Sequence, residues 1–477
     1  VLSLVGSEMC IRDRSVLSPQ QVEQIHWATL ELLERTGVQV THPQARELLH
    51  GAGARIHGDR VHLPAWMVED AIRTAPSRVI LGQRDGTRSV FLDGDKVWFG
   101  PSLDCIDYLD PLSGERRRFA SDDCRITSSV ADALPNFSWV MTIGMADDVP
   151  ANVADRVIAK QVLTYCEKPL VFCCKDVNST RDIYEMYLLV AGGEEQFQQA
   201  PTCVHYSEPI SPLLYYDPAV EKILFCAEKG IPLINYPAPQ GGSTAPATFA
   251  GEIVQGSAES LSGLVLAQLV RPGAPFIYGA FATVMDMKTT IFSYGAAEMS
   301  LMVAAMAQMA QHYRLPFFGT AGCSDAKLPD AQAAAEAAFS CLSSALSGAN
   351  LVHDSGWLDH GSVASPAFMV LVNEILHMVN QYMGGIPMDD EAIALDLMDQ
   401  VGPGGHYLLE EHTLKHFRNV WYSDLFDRSI YDQWQAQGAK RFEERLQEQT
   451  QLAMEHQAAP LPDDVAQELA RMEKHWE

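Results

Sequence analysis

Short apolar runs alternate along most of this chain with longer stretches in which apolar positions recur at helical spacing. The short runs are Lys96–Phe99, Trp139–Gly144, Leu170–Cys174, Thr202–Tyr206, Pro232–Tyr236, Phe276–Phe281, Leu315–Thr320 and Asn350–Asp354. Each is too short for a helix and is rich in Val, Ile and aromatic residues, as buried parallel strands are. Many are preceded by punctuation that stops a helix, as in Lys168-Pro169, Ile231-Pro232, Ala274-Pro275, Leu315-Pro316 and Gly348-Ala349. The longer stretches Asn152–Cys166, Ala219–Lys229, Ala250–Val270, Ala296–Tyr313 and Ala331–Ser347 read as the helices between them. This α/β alternation predicts a (β/α)8 TIM barrel over residues 96–383. An open doubly wound sheet is the alternative. It would carry a Gly-x-Gly-x-x-Gly turn after its first strand, and the chain has none.

The flanks have other rhythms. Ser18-Pro19-Gln20-Gln21 predicts a capped helix start, with Gly37 as the stop. Further helices are expected near Pro43–His50 and Pro64–Thr74. Two apolar runs around Asp93-Gly94 predict a hairpin over Ser89–Phe99. Residues 15–95 therefore read as an N-terminal helical and hairpin cap. Beyond Met383 the alternation ends, and 384–477 reads as a C-terminal extension. It holds a lid candidate at Gly404, Gly405 and His406, an aromatic-rich run, and a charged helix over Ala439–His456. Residues 1–14 lack any period and are expected to be a non-native or disordered leader.

Charge narrows the partners. With 61 acidic and 34 basic residues the net charge is −27. Such a surface repels nucleic acid and anionic membranes. The ten cysteines form no Cys-x-x-Cys pair, and several sit in apolar strands, which fits reduced thiols in the cytoplasm.

In a barrel, chemistry belongs at the carboxyl ends of the strands. Those ends offer Phe99 and Asp104, then His205, Tyr206 and Glu208, then Tyr236, Phe281 and Phe318, and finally His353, Asp354 and Trp357. Aromatic faces and carboxylates together suit a cationic ligand, each ring being worth about 0.5–2 kcal/mol when desolvated. Each ring taken singly is also an ordinary core residue. The His, Cys and acidic residues have no metal-site spacing, so no metal is expected. Gly-x-Ser-x-Gly is absent as a nucleophile elbow. Lys175, Lys288 or Lys327 as a Schiff-base lysine in a barrel lyase or aldolase is a competing reading.

Three segments carry a family resemblance: Phe317-Phe318-Gly319-Thr320-Ala321-Gly322-Cys323-Ser324-Asp325-Ala326-Lys327, then Val352-His353-Asp354, then Gly402-Pro403-Gly404-Gly405-His406. With Leu33-Glu34-Arg35-Thr36-Gly37-Val38 they resemble the trimethylamine methyltransferase superfamily over roughly residues 17–460. The resemblance implies methyl transfer from an amine to the cob(I)amide of a separate corrinoid protein. The founding enzymes carry pyrrolysine, and this chain has only the standard twenty residues. It therefore looks like the non-pyrrolysine branch, whose members demethylate quaternary amines such as glycine betaine. The cobalamin-binding Asp-x-His-x-x-Gly pattern is absent, so cobalamin is expected to arrive in trans. Phe99, Tyr206, Tyr236, Phe281, Phe318 and Trp357 are then cage candidates. His205 and His353 are candidates for orienting a substrate carboxylate, and Asp104, Glu208 and Asp354 for counter-charge. Self-association is also expected. A betaine-binding or sensing protein on the same fold is the non-enzyme alternative.

Overall fold

The computed structural model describes residues 15–476; the expected leader, 1–14, lies outside them. Eight parallel strands appear where the apolar runs placed them. They are β1 (Trp98–Pro101), β2 (Val140–Met141), β3 (Leu170–Phe172), β4 (Cys203–Ser207), β5 (Leu233–Asn235), β6 (Phe276–Tyr278), β7 (Phe318–Thr320) and β8 (Leu351–Ser355). The helices that follow them are α1 (Ser121–Ala133), α2 (Ala154–Tyr165), α3 (Val177–Ala191), α4 (Asp217–Lys229), α5 (Phe249–Val270), α6 (Ala297–Tyr313), α7 (Ala331–Ser347) and α8 (Pro366–Met383).

Strands β2 to β6 form one parallel arc in sequential order, and β7, β8 and β1 form a second. Isolated parallel bridges, Phe99↔Phe137 and Tyr278↔Phe317, join the edges of the two arcs. Helix ends follow local chemistry. Pro218 sits in the first turn of α4, and Gly230 closes it at φ +68°. Asp330 caps α7 by accepting from the Gln332 and Ala333 amides. Ser365 caps α8 ahead of Pro366. By length and composition α5 could cross a membrane, yet 83% of its apolar window is buried inside the protein. It packs against α4, α6 and the N-terminal helix Pro19–Arg35, as the hidden core helix of a layered fold.

The N-terminal helix has the expected capping box, with Ser18 and Gln21 each accepting from the other's amide. Helices Pro43–Gly51 and Ala65–Thr74 follow as expected. Val38–Val40 pairs in parallel with Leu214–Tyr215, which ties the cap to the loop after β4. The hairpin is a correction. Val79–Gly82 pairs with Arg88–Leu92, so the turn lies at Asp85-Gly86, not at Asp93-Gly94. Residues 98–101 pair instead with β8. Burial on both faces in the central sheet outweighs a local Asp-Gly turn signal.

Two small sheets lie beyond the strand ends. One joins Asp107–Leu109 and Arg116–Arg118, after β1, to Trp357–Leu358 and Val363–Ala364, after β8. The other joins Gln240–Gly241, after β5, to Thr283–Asp286 and Ile291–Phe292, after β6. Helix Phe442–Met454, inside the expected terminal helix, packs on α8 and α1. Between α8 and that helix the chain makes a long excursion in four short helices, Asp390–Ile393, Leu395–Val401, Glu411–His416 and Tyr431–Ala436, with no buried residue in any of them.

Candidate active site

Neighbouring strand residues point to opposite faces, so each strand end commits one side chain inward and the next outward. On β4 the inward residue is Tyr206. Its ring lies 5.9 Å from that of Tyr236 and 5.8 Å from that of Phe318, centroid to centroid. Tyr236 meets Phe318 edge-on at 4.9 Å and His353 edge-on at 5.3 Å. His353 leans over Phe318 at 4.3 Å. These four rings, from β4, β7, β8 and the residue just past β5, fill the space between the two arcs. The cluster extends outward through Phe281, 6.3 Å from Tyr236, to Tyr294 at 4.9 Å and then to Trp357 at 5.2 Å.

The polar groups in this apolar core are held in neutral forms. Nδ1 of His353 lies 2.7 Å from the Gly319 carbonyl oxygen, which needs a proton on Nδ1. The Thr320 hydroxyl bridges His353 at 3.2 Å and Tyr236 at 3.1 Å. Burial pulls the His353 pKa down to about 3, against the Gly319 bond that raises it. Nε2 is left facing Asp354, whose Oδ1 is 3.4 Å away. Asp354 is fully buried, and neither carboxyl oxygen has a hydrogen-bond partner. Burial pushes its pKa well above the carboxylate range. Its backbone is held at φ +79°, where a non-glycine residue is strained. A buried carboxyl on strained backbone is costly to hold, and such positions cluster at functional sites.

Beside this cluster a cleft of about 640 Å³ opens over the ends of β1 to β4. That is the size of a small-molecule site. Its wall includes Asp104 after β1, Thr142 after β2, Cys173, Cys174 and Lys175 after β3, and Glu208 after β4. Lys222 reaches in from α4 and donates to the Cys174 carbonyl at 2.7 Å. The Tyr206 hydroxyl donates to Glu208, so one hydrogen bond couples the aromatic cluster to the acidic cleft.

Asp104 and Glu208 are both exposed to water at the cleft mouth, with enough protein packed around the carboxyls to disfavour their charge. Desolvation first, then repulsion from Glu208, pushes Asp104 up to about 7, against the pull of Lys222. Glu208 is also raised, by desolvation, although the Tyr206 hydroxyl and Lys222 favour its charge. Burial opposes the Lys222 ammonium, but the surrounding acidic groups win and hold its pKa above the ordinary value. A lysine kept protonated is not a Schiff-base nucleophile. Of the lysines named from the sequence, Lys175 lines the cleft, while Lys288 and Lys327 do not. Lys327 instead pairs with Asp359 at 3.5 Å. Among the described residues no group of three or more His, Cys, Asp or Glu could hold a metal ion.

The structure thus brings together Tyr206, Tyr236, Phe281, Phe318, His353 and Asp354, and links Glu208 to them through Tyr206, with Asp104 beside Glu208 in the cleft. Trp357 joins at the periphery. Phe99 is buried on β1, outside these ring contacts. His205 faces the other way. Its ring meets Phe172 edge-on at 5.1 Å, and Nε2 lies 3.7 Å from the Cys174 sulfur. Burial, then Lys222, pulls its pKa well below the usual value and keeps it neutral. Gly404, Gly405 and His406 lie in the excursion after α8, where the Gly405 amide bonds to the nearby Gly402 carbonyl. That excursion starts at the C-terminal end of α8. Helix α8 begins at the strand carboxyl ends, so it finishes at the opposite end of the fold, away from the cleft.

Sequence reasoning missed Lys222 and Tyr294. Lys222 carried a signal, because it stands on the apolar stripe of its helix between Ala219 and Cys226. A charge on a buried stripe is costly and needs partners. Tyr294 carried none, since its role depends on the fold of the loop after β6.

The model of the trimethylamine methyltransferase (MTTB) family matches residues 5–475. Among curated relatives, the trimethylamine methyltransferase MttB of Desulfitobacterium hafniense DCB-2 is 33% identical over 452 residues, covering 94% of this chain and 91% of that protein. The glycine betaine methyltransferase of D. hafniense Y51 is 30% identical over 423 residues, covering 88% of each. A solved structure, the monomethylamine methyltransferase of Methanosarcina barkeri, aligns with 91% of this chain and 93% of its own at a TM-score of 0.46 and 11% identity. On the match across nearly its whole length, the chain belongs to the trimethylamine methyltransferase family.

Proposed function

We propose that this methyltransferase is a (β/α)8 barrel that moves a methyl group from a quaternary amine, glycine betaine or a close analogue, to the cob(I)amide of a separate corrinoid protein. The parallel bridges at Phe99 and Tyr278 support closure of the two strand arcs into one barrel. The observation that carries the functional reading is the juxtaposition of an aromatic cluster with an acidic cleft at the strand carboxyl ends. The methylamine and betaine substrates in the names of the relatives support the amine class.

The corrinoid protein enters as the methyl-accepting partner. This chain's own groups would do the rest. A quaternary nitrogen is already cationic, so its leaving form is a neutral tertiary amine, and no acid is required to activate it. Glu208 and Asp104 draw the cation in and hold its polar side toward the cleft. The buried ring cluster of Tyr206, Tyr236 and Phe318 adjoins the cleft through the Tyr206–Glu208 hydrogen bond, and a ring face turned to the cleft would favour the cation over water. Neutral His353 and a protonated Asp354 keep the floor free of charge, so the cation meets charge only at the cleft wall, where Asp104 and Glu208 attract it and Lys222 offsets part of that attraction. Exclusion of water around the methyl carbon then permits in-line attack from the mouth of the site. The free thiols of the described cysteines, nearly all buried, fit a cytoplasmic enzyme.

The test is methyl transfer itself. The purified chain, a reduced corrinoid carrier and glycine betaine are mixed, and the cobalt absorption spectrum is followed. Methylation of cobalt with formation of the tertiary amine is the expected result. No transfer from glycine betaine, carnitine or proline betaine would refute the proposal.

A further inference from the structure

Lys222 is only 3% exposed, yet it lines the cleft. An ammonium offers three N–H donors and no acceptor, and a buried one normally closes onto a carboxylate. Lys222 does not. Its Nζ gives one N–H to the Cys174 carbonyl oxygen at 2.7 Å, and among the described residues it makes no ion pair. Two of its N–H groups are left without a protein acceptor. Carboxylates are nevertheless near, because Asp104 and Glu208 line the same cleft and the Lys222 charge acts on both. Each group has its own tether. Glu208 is engaged by the Tyr206 hydroxyl, Asp104 stands on backbone held at φ +57°, and Lys222 is held by the strand end after β3. Opposite charges thus share a cavity of about 640 Å³ without collapsing onto one another. Such separation is costly unless a ligand bridges it, and it spares the ligand the work of prying an ion pair apart.

Given the proposed role of the cleft as an ammonium site, on which this rests, we infer that Lys222 receives the carboxylate of a zwitterionic quaternary amine and thereby selects substrates that carry their own carboxylate. Its charge works in two directions. A plain ammonium ion drawn in by Asp104 and Glu208 is repelled by Lys222. A zwitterion turns that same repulsion into attraction at its other end. Selectivity is the difference between the two, so one residue enters it twice. The other cations of the cleft are poorer candidates. Arg118 is 61% exposed and already pairs with Asp107 at 3.3 Å. Lys175 is exposed and gives its Nζ to the Asn152 carbonyl oxygen. Exposed charges are screened, whereas a buried one is screened much less. His205 and His353, expected from the sequence to orient the carboxylate, do not line the cleft. Lys222 takes that role.

The experiment is calorimetry on the corrinoid-free chain and on Lys222→Met and Lys222→Arg, with glycine betaine and choline as ligands. Choline keeps the trimethylammonium head and replaces the carboxylate by a hydroxymethyl group. The parent should prefer betaine by on the order of tenfold or more. Lys222→Met should weaken betaine on the order of tenfold to a hundredfold and tighten choline. Lys222→Arg, which keeps the charge, should retain the preference for betaine. Movement of the two ligands in opposite directions is the signature. A merely structural role would weaken both, and a charge that only offsets the acidic wall would, once removed, tighten both. Either result, in a variant whose circular dichroism matches the parent, would overturn the inference. So would a parent that binds choline as well as betaine, which leaves the ammonium site itself standing. A parent that binds neither ligand removes the ammonium site and Lys222's role with it.

Discussion

Replacing Glu208 by Gln removes a charge while keeping the shape and the acceptor for the Tyr206 hydroxyl. The effect can be bounded from the site. A unit charge about 4 Å from a cation is worth about 4 kcal/mol at an effective dielectric constant of 20. Water reaches Glu208 through the cleft mouth, and exposed pairs retain only a fraction of that attraction, so about 1–2 kcal/mol remains. Binding of glycine betaine to the corrinoid-free chain should then weaken roughly 5–30-fold. Calorimetry at neutral pH measures this directly. The control is the carbon isostere of betaine, in which an uncharged quaternary carbon replaces the nitrogen. Its affinity should not change in the Glu208→Gln variant. In the parent, burial raises the Glu208 pKa, so more of the carboxyl is neutral as pH falls. Betaine affinity should therefore rise with pH in the parent and respond less in the variant. Equal loss for betaine and for the uncharged isostere would refute the reasoning, because the role of Glu208 would then be packing or hydration rather than counter-charge.

Other substitutions probe the remaining parts. Asp104 binds a proton more tightly in the folded chain, at about 7, than an unfolded Asp at about 3.9. Its contribution to stability therefore falls as pH rises from 4 to 7 and stays low above. Asp104→Asn should raise the Tm at pH 8 relative to the parent and leave it nearly unchanged at pH 4, as scanning calorimetry would show. His205→Ala should lower stability by about 2–3 kcal/mol, as loss of a buried ring does, while betaine affinity in the refolded chain stays within twofold. A Cβ on Gly279 would lie 2.5 Å from the Phe318 carbonyl oxygen and 2.8 Å from the Tyr236 ring. Gly279→Ala should cost about 1–3 kcal/mol by overpacking and weaken betaine binding as well, measured by denaturant unfolding and calorimetry together.

The strands were legible because each is an apolar run set off by Pro or Gly, and burial on both faces leaves little room for another reading. The inner faces were not. Whether His205 or Tyr206 points inward depends on how the arcs curve, and two adjacent strand-end residues look alike in a list. The cleft was hidden for a related reason. Asp104 lies past β1 and Glu208 past β4, in loops whose direction is set by the roof sheets Asp107–Leu109 and Arg116–Arg118 with Trp357–Leu358 and Val363–Ala364. Those pairings join residues about 250 apart, and no local pattern announces them. Lys222 was within reach, because a charge on an apolar helical stripe is a local anomaly. The hairpin failed where a turn signal competed with a central strand for the same residues.

The single hydrogen bond from Tyr206 to Glu208 sits where two territories meet. The first arc's early strands, β1 to β4, supply the carboxylates of the cleft, Asp104 and Glu208, whereas most rings of the cluster come from β5 to β8, with Tyr206 on β4 joining the two. Such a division lets inheritance work on each half separately. Under the proposed function, relatives could exchange cleft residues after the first four strands to accept a longer or differently charged tail, while the ring cluster beside the cleft stays fixed. Diversification of substrate in this lineage would then be read mainly in the loops after the first four strands, and a chimera that transplants only those loops should carry its donor's preference with it.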